Sequence, residues 1–440
     1  MGSKHLAVEV EAAQIGEDEE EEPVSPTGQY FNSSTLCVCI LCMFESDVPI
    51  DDSQTFPLLD TLFLPINPRF SSVMVKNERG VQQWRVKVNL VDHVKVPVFP
   101  AGLSPPAYDE LVQDYVSKVG MERLPESRPL WELHPRRGHH HALGDSFSLM
   151  SALFSCDKRA DDPSLPLSFP SNNAAAAKKV GPCGPGLVSL VMNTVRDFAW
   201  GLAKSTFIED GVSPIRSGMD RVEFRPIEIS FLTFSLDDIR RVKARIGGTM
   251  NDIICGIIFH GTQLDMQSAG DGSNSAQATA LVLLNTRVID KNYKNPKEMT
   301  KPDAEPPWGN RFGFLHISIS TRDGPDKDDP LKIISKVKRL IKRKKSSLGV
   351  FLTGQLLETM RRFLGPEVTA QYVHSTMKNT SMAISNLIGP KEKMSLADHP
   401  IRSFHFMVVG VPQEEIRSQV PTQISRNTPL DRGRRVRPRH

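Results

Sequence analysis

His139-His140-His141-Ala142-Leu143-Gly144-Asp145-Ser146 gathers three imidazoles and one carboxylate into eight residues. No other stretch of the chain is so rich in groups that move protons near neutral pH. A histidine in this setting can take a proton from a hydroxyl and hand it to a leaving group, while a nearby carboxylate orients or supports the ring. Ahead of the cluster stands Pro129-Leu130-Trp131-Glu132-Leu133, and after it residues 147–154 have the pattern of a short helix. Residues 161–186 then shift to Pro, Ser, Ala and Gly, which marks a linker between two halves.

The whole chain is ordinary in charge and rich enough in apolar residues to bury a core. Of 440 residues, 39% are hydrophobic and 24% charged, with a formal net charge of +3, so no nucleic-acid footprint is expected and the partner should be a small molecule. Six cysteines (Cys37, Cys39, Cys42, Cys156, Cys183, Cys255) are too few and too uneven for a disulfide scaffold and point to a reducing compartment. No secretory signal is expected at the start, and no uninterrupted apolar run reaches the roughly 18 to 20 residues of a spanning helix. Any membrane contact should be peripheral.

Residues 1–22 end in the acidic run Glu17-Asp18-Glu19-Glu20-Glu21-Glu22 and should form a solvated tail. Residues 35–44 (TLCVCILCMF) suit a buried strand, and Cys37, Cys39 and Cys42 are then core residues rather than a zinc site. Residues 84–98 alternate as a strand. Tyr108, Leu111, Val112, Tyr115, Val116 and Val119 recur at helical spacing. Residues 187–203 are apolar but carry Arg196 and Asp197, which suits either a core helix or one lying on a membrane surface. A strand is expected over 227–234, and a helix opens at Ser235-x-x-Asp238 and stops at Gly247-Gly248. Thr249-x-x-Asp252 repeats that capping pattern and places Asn251 and Asp252 in the first turn of the next helix, over 253–259. Strands follow at 281–285 and 312–320, then a basic helix with Lys336, Lys338, Arg339, Lys342, Arg343, Lys344 and Lys345, then a strand at 403–411. The basic helix suits a solvated face, anionic lipid or a nucleotide phosphate. Past Gln413 the chain turns Arg- and Pro-rich and should be a disordered tail.

Three chemistries compete for the histidine cluster. A metal site could use His134 with the triple histidine, but adjacent residues of a strand point apart and no acidic or thiol partner has matching spacing. Gly144-Asp145-Ser146-Phe147-Ser148 imitates the serine block of GDS-type esterases, yet no histidine here follows an aspartate by three as that class needs. The third is His-His-x-x-x-Asp-Gly, met as His140-His141-Ala142-Leu143-Gly144-Asp145-Ser146. With Asn67-Pro68-Arg69-Phe70-Ser71-Ser72, Asn89-Leu90-Val91-Asp92-His93-Val94, Pro129-Leu130-Trp131-Glu132-Leu133, Ser148-Leu149-Met150, Asn251-Asp252, Asn285-Thr286-Arg287, Trp308-Gly309-Asn310, and Ser385-Asn386 with Gly389-Pro390, it resembles the wax ester synthase/diacylglycerol acyltransferase family from about Glu22 to Gln413. The blocks stand in that family's order.

The resemblance implies an α/β (α+β), two-lobed coenzyme A-dependent acyltransferase fold of the chloramphenicol acetyltransferase-like kind, with the active site between the lobes. It divides the chain into an acidic tail at 1–22, an N-terminal lobe at 23–160, the linker at 161–186, a shortened C-terminal lobe at 187–413 and a basic tail at 414–440. It also implies transfer of a long-chain acyl group from acyl-CoA, the co-substrate, to a fatty alcohol or diacylglycerol. The family's catalytic histidine falls on His141, its companion on His140 and the supporting aspartate on Asp145, with Asn251 and Asn386 as candidate oxyanion donors. No bound cofactor and no metal are expected. The implied location is the cytosolic face of the endoplasmic reticulum membrane, with the plasma membrane as the alternative.

Three departures from the family pattern bear on activity. Ser146 stands where the family has glycine, and at a positive φ serine costs on the order of 1 kcal/mol. Residues 132–139, with Pro135-Arg136-Arg137-Gly138, replace a longer segment that leads into the histidines, and the basic tail stands where the family has further strands. The competing expectation is a non-catalytic remnant that at most binds lipid.

Overall fold

The structure, a computed structural model, describes residues 33–135, 157–162, 187–219, 232–268, 277–285, 312–320, 329–385 and 392–410, apart from short breaks at 34, 37, 47, 49–51, 78–79, 346 and 397–398. Residues 22–23, 167, 225, 227, 229 and 389 are described besides. In chain order the elements are β1 (Glu22–Pro23), β2 (Cys39–Ser46), β3 (Ser72–Asn77), β4 (Gly80–Arg85), α1 (Pro105–Met121), β5 (Asp157–Arg159), α2 (Leu187–Thr206), α3 (Leu236–Ile246), α4 (Met250–Ser268), β6 (Gln277–Asn285), β7 (Phe312–Ser320), α5 (Pro330–Lys345), α6 (Gly349–Leu364), α7 (Pro366–Lys378), β8 (Met382–Ile384), β9 (Met394–Leu396) and β10 (His399–Val409). The mixture of helix and strand is the α/β content expected. Among the described residues three sheets form, in the orders β1-β4-β3, β2-β10-β9-β5 and β7-β6-β8, with β6 and β8 parallel.

The apolar run at 35–44 becomes β2, buried on both faces as its near-continuous hydrophobicity requires. Ile40, Cys42 and Phe44 face one core with Phe63, Phe70 and Trp131, while Leu41 and Met43 face another with Val112 and Val116 of α1. Its antiparallel partner is β10, from the far end of the chain, paired from Ile401↔Ser46 to Val409↔Cys39. The N- and C-terminal halves thus share one sheet. Leu36, just before β2, is buried with Leu281, Ala370, Val373 and Met377, a second tie between them.

The second assembly is built around β6. Ala278, Ala280 and Val282 face α4 and α5 through Cys255, Phe259, Val337 and Ile341, and Leu281 faces α7. Gly256 lets α4 and α5 meet closely: a Cβ there would lie 2.8 Å and 2.9 Å from the Ile334 side chain and 3.0 Å from its Cα. Helix α3 is capped by the Ser235 hydroxyl, which accepts from Asp238 N–H, and it ends at Gly247 with φ 69°. Helix α4 opens on a reciprocal pair: Thr249 N–H donates to the Asp252 carboxylate at 2.8 Å, and Asp252 N–H to the Thr249 hydroxyl at 3.2 Å. It runs on to Ser268, well past residue 259.

Two expected strands are not formed as expected. Over 84–98, pairing ends with β4 at Arg85, and residues Leu90–His93 make a helical turn instead. There Asn89 Nδ2 donates to the Asp92 carboxylate at 2.9 Å and His93 turns into the core. Over 227–234, the described residues 227, 229 and 232–234 have no strand pairing; Ile227 and Ile229 instead pack on β2 and α1.

A buried carboxylate joins the β6 assembly to α2. Asp210, whose side chain is wholly buried, ion-pairs with Lys204 of α2 and accepts from Thr279 N–H at 2.6 Å, Thr279 Oγ1 at 2.9 Å and Ser381 Oγ at 2.8 Å. The Asp210→Ala protein, which removes the ion-pair partner of the buried Lys204, should lose about 3 to 5 kcal/mol. Gly256→Ala, which forces α4 off Ile334, should lose about 1 to 3 kcal/mol. Urea unfolding of both variants measures these losses, and wild-type midpoints would refute them.

Candidate active site

Three separated sequence blocks meet in the N-terminal core. Asn67 opens the turn Pro68–Ser71 by accepting from Arg69 N–H at 3.0 Å. Phe70 then presents its carbonyl to Trp131 Nε1, which donates at 2.8 Å. Trp131, almost fully buried, stacks on His93 with ring centroids 4.1 Å apart and meets Phe63 edge-on at 5.1 Å. His93 Nδ1 donates to the Trp131 carbonyl at 2.7 Å. Leu133 N–H donates to His93 O and Lys95 N–H to Leu133 O, each at 2.8 Å, in a parallel bridge between residues 94 and 133. Burial pushes the His93 pKa down despite the hydrogen bond to the Trp131 carbonyl. The ring is therefore a neutral packing group at physiological pH.

The next residues form a polar chain that fixes the segment just ahead of the histidine cluster. His134 Nδ1 lies 2.6 Å from the Tyr115 hydroxyl of α1, and Nε2 lies 3.2 Å from a Glu132 carboxylate oxygen. Arg128 ion-pairs with the same carboxylate and donates to Asp92 O at 2.7 Å. Burial alone would raise the Glu132 pKa, but the hydrogen bonds from His134 and Arg128 outweigh it and hold the group below its ordinary value. An ionised carboxylate only accepts, so His134 Nε2–H is the donor to it, while Nδ1 is hydrogen-bonded to the tyrosine hydroxyl. Burial raises the Tyr115 pKa, which keeps that phenol protonated. Nothing in periodicity or spacing pairs Tyr115 with His134; in the sequence, Tyr115 reads only as one member of an apolar helix face.

His139, His140, His141, Asp145 and Ser146 lie outside the described residues, as do Asn386 and the block at 308–310. The short helix at 147–154, most of the linker and both tails lie outside them too. Asn251 is described: it sits half-buried in the first turn of α4, where its side-chain oxygen accepts from Cys255 Sγ at 3.8 Å. Cys39 and Cys42 are on β2, and burial pushes the Cys42 thiol up. Burial, with Asp252 nearby, pushes the Cys255 thiol up to about 12. Both thiols are protonated and inert at neutral pH. Among the described residues no group of three or more His, Cys, Asp or Glu side chains is placed to hold a metal ion, and no helix is long and apolar enough to cross a membrane.

Residues 308–420 match the WS/DGAT C-terminal domain. Wax ester synthase/diacylglycerol acyltransferase 4 of Arabidopsis thaliana is 28% identical over 439 residues, covering 90% of this chain and 82% of the relative. Over about nine-tenths of its length the chain is similar to wax ester synthase/diacylglycerol acyltransferases. Wax ester synthase/diacylglycerol acyltransferase 7 of the same plant is 27% identical over 423 residues, covering 87% and 86%. Among solved structures, the wax ester synthase/diacylglycerol acyltransferase from Marinobacter aquaeolei VT8 is similar at 14% identity and a TM-score of 0.47, covering 86% of this chain and 82% of that one.

One buried imidazole lies in the β6 assembly. His316 of β7 faces Gly201 of α2, and its Nε2 has no hydrogen-bond partner among the described residues. Burial lowers its pKa from 6.5 to about 4; Lys344 and Lys204 act in the same sense, and Asp210 opposes them. The folded state therefore holds it neutral where the unfolded chain would protonate it. Between pH 6.5 and 4 the unfolded chain binds more protons, so this contribution to stability is full above pH 6.5 and lost as pH falls toward 4. At ~1.4 kcal/mol per pH unit the loss is about 3 kcal/mol. In urea melts from neutral pH down to pH 4, His316→Phe should show a flatter decline than wild type; parallel declines would refute the assignment.

Proposed function

We propose that the chain is an acyl-CoA-dependent O-acyltransferase that moves a long-chain acyl group to a fatty alcohol, giving a wax ester, or to diacylglycerol, giving triacylglycerol. The similarity to wax ester synthase/diacylglycerol acyltransferases over most of the chain carries this reading. The convergence of the blocks at 67–72, 89–94 and 129–133 on one core, directly ahead of the histidine cluster in the chain, supports it.

In the proposed reaction His141 accepts the proton of the acceptor hydroxyl as its oxygen attacks the thioester carbonyl carbon. The carbon–sulfur bond then breaks, and the same proton passes from His141 to the coenzyme A thiolate, so one base serves both half-steps. No covalent enzyme intermediate is needed. His140 is its companion, and Asp145 holds the loop rather than relaying protons. Negative charge gathers on the thioester oxygen in the transition state and calls for a fixed donor, for which Asn251 and Asn386 are the candidates. His93, Trp131 and the Tyr115–His134–Glu132 chain anchor the segment from which the catalytic loop departs. They are positioning residues, and their burial keeps that segment in one conformation.

The substrates and products partition into membranes, so the protein is proposed to work as a peripheral protein on the cytosolic face of the endoplasmic reticulum, with the plasma membrane as the alternative site. Purified protein given labelled acyl-CoA with either acceptor should form labelled ester, and His141→Ala should lower kcat by about 10² to 10⁴. A His141→Ala enzyme as fast as wild type would remove His141 from the mechanism. A folded wild-type protein that incorporates no label with either acceptor would remove the activity itself.

A further inference from the structure

Helix α2 is built inside out. Its buried residues are Thr194, Gly201, Lys204 and Ser205, and Asp197 also turns inward to pair with Lys344 of α5 at 2.7 Å. Its outer side carries Val188, Val191, Met192 and Val195, which are 76%, 51%, 65% and 60% exposed. An ordinary surface helix places these two sets the other way round.

A second helix with exposed apolar side chains starts against α2. Leu348 N–H donates to Thr194 Oγ1 at 3.0 Å, and Gly349 lies against Asp197 and Phe198, which seats the start of α6 on the middle of α2. Leu348 and Phe351, each 52% exposed, extend the apolar surface there. The Asp197–Lys344 pair also brings the basic last turn of α5 alongside, where Lys342, Arg343 and Lys345 are exposed.

We infer that this ridge docks on an anionic phospholipid bilayer, with the α2 and α6 side chains entering the interface and the last turn of α5 meeting the lipid headgroups. Apolar burial supplies attachment and the cations supply preference for negative lipid. The charge argues against a second copy as the occupant, because self-association through this ridge would bring two like-charged clusters together. The inference rests on the proposed activity only in that a lipid acyltransferase must reach substrates held in membranes.

The test is flotation of the full-length protein with vesicles of phosphatidylcholine alone or mixed with phosphatidylserine. Wild type should bind the mixed vesicles at least about tenfold better, with the preference fading as salt is raised. The triple variant Val191→Ser, Val195→Ser, Phe351→Ser should lose binding to both. Lys342→Glu with Lys345→Glu, which removes no apolar contact, should lose only the preference for mixed vesicles. Wild type that stays unbound, or variants that float as wild type does, would overturn the proposal. So would a concentration-dependent dimer that the triple variant abolishes. Acyl transfer to short-chain alcohols in detergent is read separately. A protein that floats but transfers nothing keeps this surface and loses the enzymatic reading, whereas one that transfers but never floats does the reverse.

Discussion

The fold of the C-terminal half depends on how one buried carboxylate is satisfied. Asp210 takes an ion pair from Lys204, two hydrogen bonds from Thr279 and one from Ser381, while its own N–H donates to Asn379 O at 2.9 Å and Asn379 Nδ2 donates to Lys204 O at 2.9 Å. Arg216 closes the set by donating to Asp210 O and, at 3.0 Å, to Lys378 O. A buried ion pair gains little net stability over an apolar one, because both charges lose their hydration. It gains specificity: α2, β6, α7 and the start of β8 are each held by a directional bond to the same node. Ser381 also donates its N–H to Thr279 O at 3.0 Å, so the node sets the register at which β8 joins β6 as a parallel neighbour. Parallel strands cannot be joined by a tight turn, and here the long connection is made by α5, α6 and α7.

The N-terminal half solves a different problem, which is to hold an irregular segment still. Residues 52–71 and 86–104 are mostly short turns, and regular hydrogen-bond ladders do little there. The stacked His93–Trp131 pair and the Trp131 bond to Phe70 O replace them, fixing three turns with one aromatic cluster. Sharing β10 with β2 then ties this half to the rest. The described segment up to residue 135 is thereby held at both its aromatic and its polar contacts.

Legibility in the sequence followed the range of the interactions. Local rules wrote α3, with its Ser235 cap and Gly247 stop, and the Thr249–Asp252 box of α4, and these were readable residue by residue. Long apolar or alternating runs marked β2 and β7: residues 40–44 are apolar and buried without a break, and the end of β7 alternates Ile317 and Ile319 with Ser318 and Ser320. Residues 84–98 misled because alternation there reports side chains turned by a bend as well as by a strand. The Asp210 node was illegible: its members at 204, 210, 216, 279 and 381 share no spacing, and polarity alone does not distinguish a buried aspartate from a solvated one. For the candidate site, the Trp131 block was legible as a motif but its partners were not, since Phe70, His93 and Tyr115 are chosen by the fold. His141, His140 and Asp145 rest on the motif and lie outside the described residues.

The node also explains why α2 could be read from sequence as either a core helix or a surface one. Composition counts apolar residues without saying which side they occupy, and here the side is decided by Lys204 and Asp197. Lys204 must face Asp210, and Asp197 must face Lys344; the two lie seven residues apart, two helical turns, and therefore on one face. Thr194 and Gly201 fall on that same face, which turns Val188, Val191, Met192 and Val195 outward. To invert the helix and bury the valines would strand Asp210 without its cation and leave Lys204 and Asp197 without partners. The exposure of that apolar side is thus fixed by electrostatics in the core, whatever covers it outside.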